Sequence, residues 1–553
     1  MRNRWLLVLA AFIGGGLTQA EVARAQGAQP APAKPALPTI EVRVRSANDL
    51  LGKADYIGGL VGQEAVVKQV REFIKDLSAN GKGIEGIDPK QPFGFYATLT
   101  ADIINSPFTI MIPIVDQDTF LTMLKIRADI TPEKVKGGLF KASAPVVNDV
   151  YFRFANDYVY IARSIEALDL KVLPTPAAFF PKTTGSEVGS AIVRFDTIPP
   201  ELTKFFIGQI EVGIAEQRKQ KGGNENAAEK AFMDWFTGTT VGGIKTFIDD
   251  AKELNVRVFI DEKADDLSAE LSLTAKPGST LAKNIASLGG KTSLPAGIVG
   301  TSKDAAIRVT AKAALPASMK KELGKLVDTA IEEIVKQAGD AEKDPIERVL
   351  KTLAPTLKAG ELDIAVALQG PDAKGRYTLV VAGAIKEGKD IEKLVKDFAP
   401  FLGEVADIDF DVEKIGDFTL HTATFKNMPE DIEKSFGSKK AWVAISEDHI
   451  AFSLEPDGTV LKAGLKAKPV AVPAVSVEVA AAKLVPLIAR DLKPDELKAM
   501  LKDTFGEGSP AGKDTLSVTI TGGETFTVKG KLKGKVVGLV ASFYLAGGAG
   551  GAK

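Results

Sequence analysis

Period-2 alternation of apolar and polar residues dominates this chain and recurs in one order in both halves. Glu41–Arg45 (EVRVR) alternates as a strand and leads into a helical stripe; Ala306–Thr310 (AIRVT) opens the second half the same way. Phe93–Leu99 then answers to Leu362–Leu368, and Phe108–Ile114 to Tyr377–Gly383. Each of these leads to an amphipathic helix, Asp118–Lys125 in one half and Asp390–Phe398 in the other. The closest match is a hairpin, Val150–Ala162 against Ala441–Ser453 without a gap. Its polar turns are Asn156-Asp157 and Glu447-Asp448, and a ring, Tyr158 or His449, starts each return strand. Ser190–Phe195 parallels Ser476–Ala480. The closing pair Leu254–Ile260 and Leu267–Thr274 parallels Thr515–Thr521 and Thr525–Lys531.

Helical stripes sit between these runs. Glu64–Leu77 puts Val66, Val67, Val70, Phe73, Ile74 and Leu77 on one face, with Asn80-Gly81 as the stop. Leu323, Val327, Ile331, Ile334 and Ala338 form the counterpart, and Asp344-Pro345-Ile346-Glu347 reads as an N-cap, a Pro at N1 and a capping Glu. The expected architecture is α+β: two tandem duplicated modules, 40–295 and 296–546, of mainly antiparallel sheet packed with amphipathic helices. Pro295–Thr301 is the expected junction, Glu216–Lys230 a surface loop or solvated helix end, and Val536–Leu545 a last strand before a Gly-rich tail, 547–553.

The hairpin with the following Arg163–Leu168 (RSIEAL), and the strand-to-helix run Ile114–Leu121 (IVDQDTFL), resemble those of uncharacterised exported bacterial proteins with duplicated α+β modules, a family of unknown function. The resemblance implies a fold and brings no activity.

Composition narrows the chemistry. The 553 residues carry 70 Lys and Arg against 71 Asp and Glu, with two His and no Cys. Disulfides, thiolate metal sites and thiol nucleophiles are excluded, and so is any site of three imidazoles. Near-neutral charge argues against nucleic acid as a partner. Residues 1–25 read as a cleaved signal peptide: Arg2 and Arg4, an apolar Trp5–Leu17, and Ala23-Arg24-Ala25 before the cleavage point. The apolar stretch is short for a spanning anchor, the rival reading, so the mature chain is expected to lack a transmembrane span. An Ala/Pro-rich linker, 26–38, follows. The expected location is the periplasm or the cell surface.

Catalytic motifs are sparse. Ser318 and Lys321 match Ser-x-x-Lys, the nucleophile motif of penicillin-interacting serine enzymes, without its companion motifs; Ser318 after Pro316 reads more simply as a helix cap. Gly290-Lys291-Thr292 has the tail of a phosphate loop, but Ile285 stands where its first Gly belongs. Ser446 and His449 are three apart, a spacing the hairpin explains as turn chemistry. His421 lies in the alternating strand Phe418–Phe425, and Trp235 in a core-like aromatic cluster. Asp407, Asp409 and Asp411 alternate onto one strand face and could hold Ca²⁺, although Val412 stands where the Ca²⁺ loop needs Gly. No other cofactor is indicated. The expectation is a non-enzymatic binding or scaffold protein of the cell envelope, with an unknown envelope component or an apolar small molecule held between sheet and helices. A Ser-x-x-Lys hydrolase and a Ca²⁺-dependent surface adhesion protein are the alternatives.

Overall fold

A computed structural model describes residues 37–548 apart from 77–85, 104, 145–146, 183–184, 222–226, 301–304, 490–492 and 508–510. The expected signal 1–25, nearly all of the linker and the last five residues therefore lie outside the described residues. The described chain mixes helices with antiparallel sheet, an α+β protein. It forms two compact units. One runs to Lys204 and adds Glu253–Asp266; the other holds Phe205–Lys252 and everything from Leu267 onward.

In the first unit the strands are β1 (Ile40–Val44), β2 (Phe93–Ala97), β3 (Phe108–Pro113), β4 (Glu133–Val135), β5 (Leu139–Ala144), β6 (Val147–Ala155), β7 (Tyr158–Ala162), β8 (Glu187–Arg194) and β9 (Ala251–Asp261). Their antiparallel ladder runs β9-β8-β1-β2-β3-β7-β6-β5-β4. The second unit has β10 (Asp266–Ala275), β11 (Lys291–Ser293), β12 (Ala305–Ala314), β13 (Glu361–Gln369), β14 (Thr378–Ala384), β15 (Ala406–Ile415), β16 (Phe418–Phe425), β17 (Lys440–Ile445), β18 (His449–Leu454), β19 (Val470–Val472), β20 (Val475–Ala480), β21 (Thr515–Thr521) and β22 (Thr525–Lys533). Its ladder runs β22-β21-β20-β12-β13-β14-β18-β17-β16-β15, while β11 pairs with β19 apart from it.

The hairpin turns differ between the units. Asn156 and Asp157 both take positive φ, +53° and +61°, the left-handed pair that a two-residue turn between twisted strands requires. The second hairpin has a three-residue loop. There the Ser446 amide donates to the His449 carbonyl at 2.9 Å, and the His449 amide donates to Ser446 Oγ at 3.1 Å. The Ser446–His449 spacing is thus occupied by a backbone turn.

Several expected boundaries move. Pro295–Thr301 is not a linker: Leu294–Gly300 is a helix with Pro295 through Val299 buried on β13 and β14. Its apolar run LPAGIVG has too few polar groups to sit in water, so it fills the sheet face instead. Val536–Leu545 belongs to a helix, Gly534–Gly548, with Val536 and Leu539 buried three residues apart. A continuous apolar run carries no period, and here the i, i+3 pair settles it. Asp344 does not begin its helix, which spans Asp340–Lys358 and carries Pro345 inside, one backbone hydrogen bond forgone. Ser318 is the second residue of the helix Ala317–Gln337, whose N-cap position is Pro316. A helix at Ala47–Leu60, capped by Ser46 Oγ, precedes the expected one at Glu64–Asp76. The polar segment around Glu216–Lys230 is the end of one long helix, Pro200–Lys221, and the start of another, Ala227–Asp250. No described helix is long and apolar enough to cross a membrane.

Candidate functional site

The ladder registers place one set of side chains on a single sheet face of the first unit. Glu41 on β1 lies opposite Tyr96 on β2, Tyr96 opposite Thr109 on β3, and Thr109 opposite Ala162 on β7. One step along, Arg43 faces Gly94, Gly94 faces Met111, and Met111 faces Tyr160. The segment Ala167–Phe180 covers part of this face. Gly94 is what lets it close: a β-carbon there would lie 2.6 Å from the Val42 carbonyl and 2.8 Å from the Phe179 ring. Phe179 packs at 5.5 Å from Tyr96, with the Arg43 guanidinium 5.2 Å from its ring centre.

Beside this cover the face opens into a cleft of about 470 Å³. Tyr96, Thr109 and Glu41 form its floor, Val172, Pro174, Ala178 and Phe179 its cover, and Leu37, Pro38 and Pro107 part of its rim, with Arg43 and Arg194 in the wall. That size and mixture, apolar walls with a few polar groups, suits a small-molecule site.

Its polar groups are tightly arranged. Glu41 is only 4% exposed, and a buried carboxylate needs cationic partners. It accepts from Arg43 Nη2 and, at 2.5 Å, from Arg194 Nη1. Arg194 also donates to the Pro38 carbonyl at 2.9 Å and meets Glu253 at 3.3 Å. Arg43 Nε is buried without a hydrogen-bond partner, and Thr109, 1% exposed, lies beside the Tyr96 phenol. Burial pushes the Tyr96 phenol up to about 12; the Thr109 hydroxyl opposes this and Tyr160 adds to it.

On the second unit's ladder, Val380 lies opposite Ser453 and Ala367, and Ala382 opposite Ala451 and Ala365. By strand order, with Ser453 set against Ala162, these β14, β18 and β13 residues take the places of Thr109, Ala162 and Tyr96, and of Met111, Tyr160 and Gly94, two residues along from the sequence matches at β2 and β3. Here the helix Leu294–Gly300 covers the face, with Ile298 and Val299 at most 1% exposed among Ala365, Ala367, Val380 and Ala382. Its start is fixed by Ser293 Oγ, which donates to Asp363 Oδ1 at 2.5 Å and accepts from the Ala296 amide at 3.0 Å. Lys312 Nζ balances the buried Asp363 at 2.6 Å. Lys291 and Thr292 belong to β11, so the residues resembling a phosphate loop lie in a strand.

The three aspartates of β15 are not brought together. A bulge between Asp409 and Glu413 breaks the alternation, with Asp411 at φ +54°. Asp407 pairs with Lys426 at 2.9 Å, Asp409 accepts from Thr422 Oγ1 at 3.2 Å, and Asp411 takes Lys396 Nζ at 2.8 and 2.9 Å. Asp411, Glu392 and His421 do converge, their donor atoms within 4.8 Å of one another. Lys396 also donates to Glu392 at 2.7 Å, so one ammonium already bridges both carboxylates. The Asp411 amide donates to His421 Nδ1 at 3.1 Å, which assigns the imidazole proton to Nε2. A metal at Nε2 would move that proton to face the Asp411 N–H. The cluster is an ion network tying the helix Gly388–Leu402 to the bulge. Burial pushes His421 below the ordinary imidazole range against the pull of Glu392 and Asp411, with Lys396 adding to the fall.

Lys321 is exposed in the first turns of its helix, and Trp235 is half-buried between Phe232 and Phe236, which are about half exposed. Sequence reasoning missed Glu41, Arg43, Thr109 and Arg194. The signal available was Glu41-x-Arg43, which puts opposite charges on one strand face next to the otherwise apolar strands β2 and β3. No protein-family model, curated protein or solved structure matches the chain.

Proposed function

We propose that this chain is an exported, non-enzymatic binding protein of the cell envelope. It is built from two copies of one α+β module and holds an apolar small molecule in the cleft of the first. The single observation that carries this reading is the contrast at one ladder position. The face that the second unit fills with its own helix, Leu294–Gly300, is covered in the first by Leu168 and Phe179 over Met111 and Tyr160, and this cover leaves a cleft beside Tyr96. The common strand order of the two ladders supports the duplication, and the sequence of residues 1–25 supports export.

Titration with the solvatochromic dye Nile red tests the reading. One saturable site per chain is expected, lost in Ala178→Trp, which fills the cleft mouth, and kept in Ile334→Ala, a half-exposed change in the second unit. Dye binding indifferent to Ala178→Trp would refute the site. N-terminal sequencing of the protein recovered from a periplasmic fraction tests the export signal.

A further inference from the structure

Both faces of the second unit's sheet are apolar, and only one of them is closed. Ala365, Ala367, Val380 and Ala382 pack with the helix Leu294–Gly300 and are at most 1% exposed. Their neighbours along each strand point the other way. The ladder registers line these up in a row: Val477 on β20, Val309 on β12, Val366 on β13, Val381 on β14, Phe452 on β18 and Val443 on β17. The flanking rows, from Val479 to Leu454 and from Val475 to Ile450, are apolar at every position too. An antiparallel sheet with one covered face ordinarily turns polar side chains outward on the other. Here the central row is half-buried from end to end, and Ile364 in the next row is 40% exposed. The row closes at β16, where His421 follows Val443 and meets Glu392 of the helix Gly388–Leu402 at 3.6 Å. The helices between β12 and β13, Ala317–Gln337 and Asp340–Lys358, pack on each other and leave the row half-buried.

Size and chemistry select the occupant. At about 4.8 Å between strands and about 6.8 Å between alternate residues, six strands and three rows make a face of about 24 Å by about 14 Å. A protein partner needs about 800 Å² per side and about one hydrogen bond per 100–200 Å². This face has well under half that area, its side chains form no hydrogen bonds, and its backbone groups are spent on the ladder. A lipid tail, spanning half of a bilayer core of about 30 Å, is about 15 Å long and is held by apolar contact alone. We propose that this face of the second unit binds the acyl chains of a lipid, as a site independent of the first unit's cleft.

Phosphatidylcholine vesicles carrying a pyrene-labelled acyl chain test the site on the intact protein, stripped of lipid on a hydrophobic resin. The protein should draw out labelled lipid saturably, read as a rise in pyrene monomer emission. The combined variant Val309→Thr, Val366→Thr and Val381→Thr keeps side-chain shape and strand preference but adds three hydroxyls, and should weaken uptake at least about tenfold. Ile364→Glu, at a half-exposed position of the same face, should do the same and serves where the triple variant fails to fold. Ala178→Trp, in the first unit's cleft, should leave uptake unchanged. Lipid-filled protein should show the single Nile red site of the cleft, and stripped protein a second one that Ala178→Trp leaves in place. No uptake by the unaltered protein, or uptake unchanged in folded Ile364→Glu, would overturn the site. Uptake lost in Ala178→Trp but kept in Ile364→Glu would also overturn it and move the lipid to the cleft. A concentration-dependent dimer in size-exclusion chromatography, lost in Ile364→Glu, would give the face to a second copy instead.

Discussion

The buried helix Leu294–Gly300 gives the sharpest quantitative test, through Ile298→Ala. Ile298 is 1% exposed and sits in the cluster that holds Ala365, Ala367, Val380, Leu461 and Trp442. The substitution removes three carbons, about 2.4 kcal/mol of transfer free energy at about 0.8 kcal/mol each. The surrounding positions cannot collapse onto the gap: a β-carbon on Gly464 would already lie 2.5 Å from the Ile298 carbonyl, and one on Gly297 2.3 Å from the Lys468 carbonyl. A residual cavity therefore adds to the loss, for a total of about 3–4 kcal/mol. Urea unfolding followed by Trp442 fluorescence, in a chain carrying Trp5→Phe and Trp235→Phe, reads this unit directly, since Trp442 belongs to the same cluster. Ile334→Ala, at a site 45% exposed, is the control and should cost well under half as much. A loss below about 1 kcal/mol for Ile298→Ala would mean that this helix does not fill the sheet face, and the contrast between the units would fall with it.

Three further outcomes follow from the same geometry. Burial holds His421 and His449 below the ordinary imidazole value of 6.5, so each favours the neutral form in the folded chain. Their contribution is complete above that pH and is lost as pH falls through the lower folded values; urea midpoints should drop between about pH 7 and pH 5, with a shallower fall in His421→Gln. Ca²⁺ or chelator should leave the melting temperature within about 1 °C, because Asp407, Asp409 and Asp411 have separate partners; a rise at millimolar Ca²⁺ would revive the adhesion reading. Gly94→Ala should destabilise by about 1–3 kcal/mol in thermal unfolding and weaken Nile red binding, since its β-carbon displaces Phe179 from the cleft. Unchanged dye affinity in a folded Gly94→Ala protein would separate Phe179 from the site.

The strands were legible because alternation reports a half-buried sheet directly. Val150–Ala162 and Ala441–Ser453 fall on β6, β7, β17 and β18 with their turns between them. Runs without a period were misread. Leu294–Gly300 and Val536–Leu545 are apolar throughout, and only tertiary packing decides between strand, linker and helix there. The aspartates of β15 were misread for another reason. Alternation assumes an unbroken strand, and the bulge at Asp411 turns that residue toward Lys396. The cleft itself was only half legible. Alternation put Glu41 and Arg43 on one face, but nothing local says that Arg194, about 150 residues on, comes back to share the carboxylate.

Side-chain size on the sheet floor explains why one face carries a helix and the other a cleft. At matched ladder positions the second unit has Ala365, Ala382 and Ala451, then Ala367, Val380 and Ser453. A floor that small lets a helix backbone approach closely, and the helix that does so is itself made of Leu, Pro, Ala, Gly, Ile and Val. The first unit has Gly94, Met111 and Tyr160, then Tyr96, Thr109 and Ala162. Its two tyrosines and its methionine leave less depth for a helix; Leu168 and Phe179 close over Met111 and Tyr160, and the cover leaves Tyr96 partly open. Gly94 lowers the floor at one point, where Phe179 and Phe180 come down, and the cleft lies beside that contact. Exchanging floor residues should then exchange the two outcomes. Enlarging Ala367 to Tyr should displace the helix Leu294–Gly300 and destabilise the second unit, whereas Tyr96→Ala should deepen the cleft and loosen its grip on Nile red. A stable, tightly covered second unit carrying Ala367→Tyr would show that floor height does not set the choice.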